Sequence, residues 1–295
     1  MNNYARLGNV KADQAGTGAT VVLDPVLVRA IEQVSREFEQ EARRQFHSRT
    51  ATLVFDGVDD AGTYDGSVSD LFRAPRVSRL WLSEDLLTVS TVKVDLDRDG
   101  VFEVTLVQDT DFYLWPANPQ PNTPYRALDL SPYSQQLASW PRGIRRVQIA
   151  GTWGYSNETE DTGLTGTLSD TSDTTITASA DATDLIYPGD TLVIESEQVY
   201  VSAVSGTTVT VTRAVNGTTA AAHAAKSLLV RRYPRDVEMA VAERVVGLRW
   251  DSQGGYSGMA SLAGDMSSGG SNATIRASYA RWRRAVERYS LPVVA

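Results

Sequence analysis

The stretch PGDTLVIESEQVYVSAVSGTTVTVTRAVNGT, residues 188–218, determines how the chain is divided. Short runs rich in Val, Ile, Thr and Tyr alternate in it with the turn sequences PGD, SGT and NGT. β-branched and aromatic residues favour strands, and Gly, Asn, Asp and Pro supply the backbone conformations of tight turns. The stretch therefore predicts closely spaced strands, as in a small barrel or sandwich.

The same composition extends over residues 156–231, where the net charge also changes. This segment contains ten acidic and three basic residues, a net charge of −7. The chain of 295 residues has a net charge of −8, so the remainder is nearly neutral at −1. A break of this size indicates an acidic all-β domain at 156–231. We expect residues 1–155 and 232–295 to form a second, discontinuous domain around it.

Helical patterns lie on both sides of the acidic segment. Asp24 and Pro25 are suited to a helix start, and a helix also begins near Pro234. Residues 251–271 have the Gly/Ser-rich composition of a flexible linker, and a last helix begins near Asn272. The apolar residues recur at helical spacing in these helices: Leu27, Ile31, Val34, Phe38 and Ala42; Val237, Val241, Val245 and Leu248; Ile275, Tyr279, Trp282, Val286 and Tyr289.

Strand patterns fill most of the region between the first helix and the acidic segment. They are TATLVFDG (50–57), RLWLSEDLLTVSTVKVDL (79–96), VFEVTLV (101–107) and IRRVQIAGTWGYS (144–156). The proline-rich residues 115–141 predict a long surface loop. The sequence thus predicts an α+β fold: a helical bundle with an antiparallel β-hairpin region, interrupted by an inserted all-β domain.

An acidic turn lies between two of these strands, in KVDLDRDGVFEV (93–104). Asp95, Asp97 and Asp99 followed by Gly100 resemble the beginning of a calcium loop. Such a loop has a bidentate glutamate at position 12, where this chain has Leu106, and its flanks are helices rather than strands. Calcium binding remains the alternative, but the pattern favours a hairpin turn without metal.

The remaining signals argue against catalysis. The chain contains no cysteine, and its two histidines, His47 and His223, lie far apart without metal-ligand spacing. It has no Walker loop, no G-x-G-x-x-G and no G-x-S-x-G motif. We expect a protein that is not an enzyme and has no cofactor. The lack of a long apolar run predicts a soluble protein made in a cytoplasm, without a membrane partner.

The order of several motifs resembles the head–tail connector (adaptor) proteins of long-tailed bacteriophages. The first helix carries Asp24, Leu27, Ile31 and Ser35 and is followed by Arg44-Gln45-Phe46. The β region contains LWLSEDLL (80–87), the acidic turn and DFYLWPAN (111–118). A returning strand matches in WPRG (140–143) and VQIAGTWGY (147–155), and the next helix opens with YPRDV (233–237).

This resemblance implies a structural role in the virion, at the head–tail interface, after assembly in the host bacterial cytoplasm. Adaptor proteins form a ring, generally of twelve copies, beneath the portal protein, and the ring presents a surface for the neck, stopper or tail-completion protein. Genomic DNA passes through the channel without sequence-specific binding. The alternative is a phage binding protein whose acidic β segment binds glycan or another virion protein. A third hypothesis, a calcium-dependent enzyme, depends on the acidic turn alone.

The last helix is the candidate portal-docking element. Tyr279 and Trp282 are expected as buried anchors, and Arg281, Arg284 and Arg288 are expected to meet portal carboxylates. Large aromatic residues and Arg commonly dominate the energy of interfaces. The same apolar stripe would equally serve to close the chain's own helical bundle.

Overall fold

A computed structural model describes residues 2–15, 24–57, 79–120, 123–260 and 269–291. The helices of this part are α1 (Leu7–Ala15), α2 (Asp24–Ala42), α3 (Arg235–Ala260) and α4 (Gly269–Tyr289). The strands are β1 (Arg49–Phe55), β2 (Arg79–Val94), β3 (Val104–Leu106), β4 (Phe112–Trp115), β5 (Tyr125–Leu130), β6 (Val147–Trp153), β7 (Thr159–Leu168), β8 (Thr175–Ala178), β9 (Thr191–Ile194), β10 (Glu197–Ser205), β11 (Thr208–Thr212) and β12 (His223–Arg231). None of these helices has the length and apolar content required to cross a bilayer.

The predicted helical bundle with an inserted domain is wrong. The chain is mostly β, with 38% strand and 24% helix, and contains a closed six-stranded barrel and a second sheet. A sequence pattern shows the local period of a segment, whereas strand pairing depends on contacts between segments far apart in the chain. The strands were therefore recognisable in the sequence, but the extent of the β structure that they build was not.

The described chain divides into two compact units. One comprises residues 1–46 and 157–295, and the other comprises residues 47–156. One boundary thus lies beside the predicted one at 155/156, and the other lies at 46/47. The first unit contains all four helices and the barrel, and the second contains the open sheet. Whether the acidic segment 156–231 is a separable domain stays a prediction.

The barrel of the first unit closes in the order β10-β11-β8-β7-β12-β9. Its pairs are antiparallel, and β12 joins β7 on one side to β9 on the other. Side chains of the strands, together with two from the segment between β8 and β9, form an apolar core: Leu164, Leu168, Ile176, Ala178, Ala182, Ile186, Leu192, Ile194, Val199, Val201, Val209, Val211, Leu228 and Val230. Closure of the barrel pairs the backbone N–H and C=O groups that the edge strands of an open sheet would leave exposed.

A cluster of aromatic rings joins α2 to the N-terminal segment and to the residues that follow α2 and precede α3. Tyr4 lies 5.5 Å from Phe46 and 4.5 Å from Tyr233, measured between ring centroids. Phe38 of α2 contacts Phe46 at 5.3 Å. The backbone N–H of Tyr4 donates to Ser35 Oγ at 3.0 Å, so this serine fixes the N-terminal segment on α2. The periodic positions Leu27, Ile31, Val34, Phe38 and Ala42 are all buried, as the sequence predicts.

The second unit is an antiparallel sheet in the order β1-β6-β2-β5-β4, with β3 paired to β2. The two glycines of the GTWGY motif, Gly151 in β6 and Gly154 directly after it, lie where the backbone of another segment leaves no space for a side chain. A Cβ on Gly151 would lie 2.1 Å from Thr88 O, and one on Gly154, where φ is +128°, would lie 2.1 Å from His47 O. Between them, the indole of Trp153 is buried and donates to Ala51 O at 3.0 Å.

Two local predictions differ from the structure, and one helix was not predicted. Strand β5 lies inside residues 115–141, which the prolines indicated as a loop, because the alternation in YRALDL directs Leu128 and Leu130 to the core. Helix α3 continues to Ala260 and α4 begins at Gly269, so the predicted linker 251–271 is helical at both ends. Intrinsic propensity is a weak signal that the continuation of a helix can override. Residues 261–268 lie outside the described chain, and α1 was not predicted.

Candidate docking surface on helix α4

Helix α4 packs on the first unit through its apolar face. Trp282 is fully buried, contacts the ring of Phe38 at 5.0 Å, and donates from Nε1 to Glu41 Oε2 at 2.9 Å. Tyr289 contacts Phe46 at 5.6 Å. Trp282 thus lies in the interior of its own chain, which is the position that bundle closure requires. The side chain of Ile275 lies outside the described residues.

Tyr279, by contrast, lies at the surface. Its side chain is 46% exposed, and the Arg244 guanidinium lies 5.4 Å from its ring centroid. A guanidinium over an aromatic face is attracted by the ring quadrupole. The two predicted anchors are therefore different: Trp282 is held inside the chain, and Tyr279 is accessible to a partner.

The three predicted arginines line one side of a groove between α3 and α4. The groove has a volume of about 360 Å³ and is lined by Asp236, Met239, Ala240, Glu243, Arg281, Arg284, Ala285 and Arg288. Arg281 pairs with Glu243 at 2.8 Å, and Arg288 pairs with Asp236. The carboxylates of α3 thus neutralise the two ends of the arginine row. These acids were not identified from the sequence, because their partners lie on another helix.

Arg284 occupies the middle of the groove. Its Nε donates to Ala280 O in its own helix at 3.3 Å, and no carboxylate of the described residues pairs with it. The exposed side chain of Met239 lines the same groove. A guanidinium beside an apolar side chain can bind a carboxylate of a partner that also buries apolar surface. The groove therefore has one positively charged group available between two internal ion pairs.

Burial affects the acid at one end of the groove. It raises the pKa of Glu243, whereas the nearby Arg281 lowers it and Asp13 raises it further. Oε2 of Glu243 is buried without a hydrogen-bond partner. The carboxylate is consequently held by Arg281 rather than by a full hydrogen-bond shell.

The acidic turn of the second unit brings four carboxylates together. Oxygens of Asp95, Asp97, Asp99 and Glu103 lie within 4.8 Å of one another. The carboxylate of Asp95 is buried, however, and accepts from the backbone of Arg98 at 2.7 Å and of Gly100 at 3.1 Å, and from the Arg146 guanidinium at 3.2 Å. These bonds account for the turn without a metal ion.

His223 lies between two glutamates of the barrel unit. The ring nitrogens of His223 lie 2.9 Å from Glu195 Oε2 and 2.9 Å from Glu197 Oε2. Glu197 is also held by Arg213, at 2.7 Å from Nε and 2.7 Å from Nη2. Glu197, Arg213 and His223 form a buried network that connects β10 to β12, and the exposed Glu195 lies at its edge.

Comparison of the chain with protein-family models, with curated proteins and with solved structures finds no match.

Proposed function

We propose that this chain is a structural subunit of a bacteriophage head–tail connector, an adaptor that assembles into a ring and binds the portal protein on one side and a neck or tail-completion protein on the other. The observation that carries the proposal is the ordered set of adaptor-like motifs in the sequence. No identified relative contributes to it.

The environment of the motif residues supports this proposal. Leu27, Ile31 and Ser35 are buried in α2, and Trp140 and Trp153 are buried in the second unit. These motif positions thus pack in the interior, whereas other motif residues, such as Trp81 and Tyr113, are exposed. The buried residues specify a scaffold, which is what a subunit of a structural ring needs.

The alternative, in which residues 156–231 bind glycan, receives little support from the aromatic residues of that segment. Tyr200 is buried. The ring of Tyr187 lies 5.2 Å from the Arg6 guanidinium and directly against Gly8, where a Cβ would lie 2.6 Å from the ring. Neither ring forms an open stacking surface.

Within the proposed function, the groove between α3 and α4 is the portal-docking surface. In this groove Arg284 receives a portal carboxylate beside the exposed Met239, and Trp282 holds the helix in position from inside. Tyr279 is accessible on the same helix but is not among the groove residues. Charged pairs at an interface contribute strongly to partner selection and association rate.

Reversal of charge at Arg284 tests this proposal. We expect Arg284→Glu to reduce binding to the purified portal protein at least tenfold, roughly 1.4 kcal/mol. The substitution replaces the attraction between the Arg284 guanidinium and a portal carboxylate by a repulsion between two carboxylates. Arg283→Glu is the matched control, since Arg283 is exposed on the same helix and is not among the groove residues. Size-exclusion chromatography with light scattering measures the ring with and without portal.

The two parts of the proposal can fail separately. A chain that stays monomeric and does not bind the portal protein contradicts the adaptor function itself. A chain that binds portal equally well with Arg284→Glu retains the function but contradicts this docking surface.

A further inference from the structure

An aromatic corner lies on the solvent face of the sheet in the second unit. Trp81 of β2 and Trp115 of β4 both pair in register with Ala127 of β5, which lies between them. The two indoles meet at 5.2 Å between ring centroids and at 74° between their planes. Trp81 is 53% exposed, whereas Ala127 beneath the rings is fully buried. The rings therefore form two walls at nearly a right angle.

A fixed ion pair adjoins this corner in the next row of the same three strands. Arg79 pairs in register with Asp129, and Asp129 pairs with Tyr113. Two N–H groups of Arg79 donate to the Asp129 carboxylate at 2.6 and 2.8 Å. The guanidinium also lies 4.5 Å from the Trp115 centroid and 5.4 Å from that of Trp81. We call Arg79, Trp81, Tyr113, Trp115 and Asp129 the platform.

The platform lies on the face of the sheet opposite the core. The neighbouring residues Leu80, Leu128 and Leu130 alternate to the opposite face, where they are buried. The platform side chains are thus carried by hydrogen-bonded strands over a packed layer. Large aromatic side chains that are grouped and exposed commonly mark a binding surface.

The chemistry of the platform selects the class of ligand. The charges of Arg79 and Asp129 cancel, and the chain as a whole has a net charge of −8, so a polyanion such as single-stranded DNA gains little from this surface. A suitable ligand is uncharged, has a flat apolar face, and carries hydroxyl groups around its edge. Sugar rings have this combination, because their C–H groups stack on the negative face of an aromatic ring.

We propose that the platform is a saccharide-binding site for a neutral hexopyranose unit of an oligosaccharide. The sugar ring stacks on the open face of Trp81 with its edge against Trp115. Its hydroxyls donate to the Asp129 carboxylate and accept from the N–H groups of Arg79 that do not point to Asp129. Because the ion pair is already formed, binding requires little reorganisation of either side chain. The proposal is independent of the adaptor function.

Intrinsic tryptophan emission of the full chain tests the site. Titration with cellohexaose, maltohexaose and chitohexaose is expected to shift the emission to shorter wavelength for at least one of them, with a dissociation constant on the order of 0.1–1 mM. Trp81→Ala and Asp129→Asn should each weaken binding at least tenfold, measured by calorimetry because the first removes a fluorophore. Tyr133→Ala is the control: Tyr133 is 79% exposed and lies outside the platform.

Three outcomes overturn the proposal. One is the absence of saturable binding for all three oligosaccharides. Another is binding that Trp81→Ala leaves unchanged while circular dichroism shows the variant folded. The third is a fall in oligomeric state for Trp81→Ala together with no saccharide binding, which would assign the platform to a protein interface.

Discussion

Glu197 is a fully buried carboxylate at the start of β10. Burial alone would raise its pKa, but hydrogen bonds from Arg213, from His223 and from the backbone of Ala221 and Ala214 outweigh that effect and lower the pKa from 4.5 to about 2. The network shows how a small barrel tolerates a buried charge: the charge is retained because several donors converge on it.

Glu197→Gln tests this account through pH. Because the pKa of Glu197 is lower in the folded chain, its ionisation stabilises the fold fully above about pH 4.5 and progressively less as pH falls toward about 2. We expect wild type to exceed Glu197→Gln in free energy of unfolding by roughly 3 kcal/mol at pH 7. Urea denaturation should show that difference shrinking below pH 4.5, with the exposed Glu287→Gln as control. A difference that stays constant down to pH 3 would contradict the proposed role.

The acidic turn is predicted to be free of calcium under ordinary conditions. Asp95 is buried and already accepts three hydrogen bonds, from Arg98, Gly100 and Arg146, so it offers little to an ion. Isothermal titration with CaCl₂ should give no heat above dilution. A saturable micromolar signal that disappears in Asp97→Ala would reverse this interpretation.

At the scale of elements, local patterns predicted α2 well because one capping residue and a 3.6-residue period were sufficient. They also predicted the strands around the acidic turn, whose alternation is strong. They did not predict β5, whose alternation is hidden between prolines. For residues 156–231 they left a small barrel and a sandwich open, because closure requires β12 to pair with both β7 and β9. The sequence identified the arginines of the docking groove, because they share one helix. It did not identify Asp236 and Glu243, which lie on another helix.

The platform was missed for a similar reason. Trp81 and Trp115 are more than thirty residues apart in the sequence, and the register with Ala127 brings them together. A sequence read alone shows two tryptophans in apolar segments, which are most simply assigned to the core. Only the strand order reveals that they face away from it.

Trp282→Ala measures how much α4 contributes to the fold. Trp282 is fully buried against Phe38 and bonded to the exposed Glu41, so its loss leaves a cavity and removes this hydrogen bond. We expect a loss of about 3–5 kcal/mol in the free energy of unfolding. Tyr279→Ala is the matched control on the same helix, and at 46% exposure it should cost about 1 kcal/mol or less. Equal losses for the two variants would indicate that α4 does not pack as described.

At the scale of the whole molecule, the two units differ in how the chain builds them. The first unit joins segments far apart in sequence: Arg6 forms an ion pair with the buried Asp190 at 2.9 Å, and Asn2 donates to Asn216 at 2.9 Å. The N-terminal segment therefore contacts the barrel directly. The second unit is one continuous stretch, residues 47–156, with its own apolar core. One unit boundary lies at 156/157, close to the charge break, and the other, at 46/47, has no compositional signal.

We predict that residues 47–156 fold when expressed alone. About 110 residues are enough to bury a core, and Leu86, Trp140 and Trp153 lie within this stretch and are at most 1% exposed. The isolated stretch should show β-type far-ultraviolet circular dichroism, a near-ultraviolet tryptophan signal and cooperative unfolding in urea. The same stretch with Trp153→Ala is the control: it loses the contact with Phe55 and the bond to Ala51 O, and should be destabilised by about 3–5 kcal/mol. A non-cooperative urea profile for the unmodified stretch would mean that this unit needs the rest of the chain in order to fold. The boundary at residue 47 would then separate two densely packed regions and not two independent folding units.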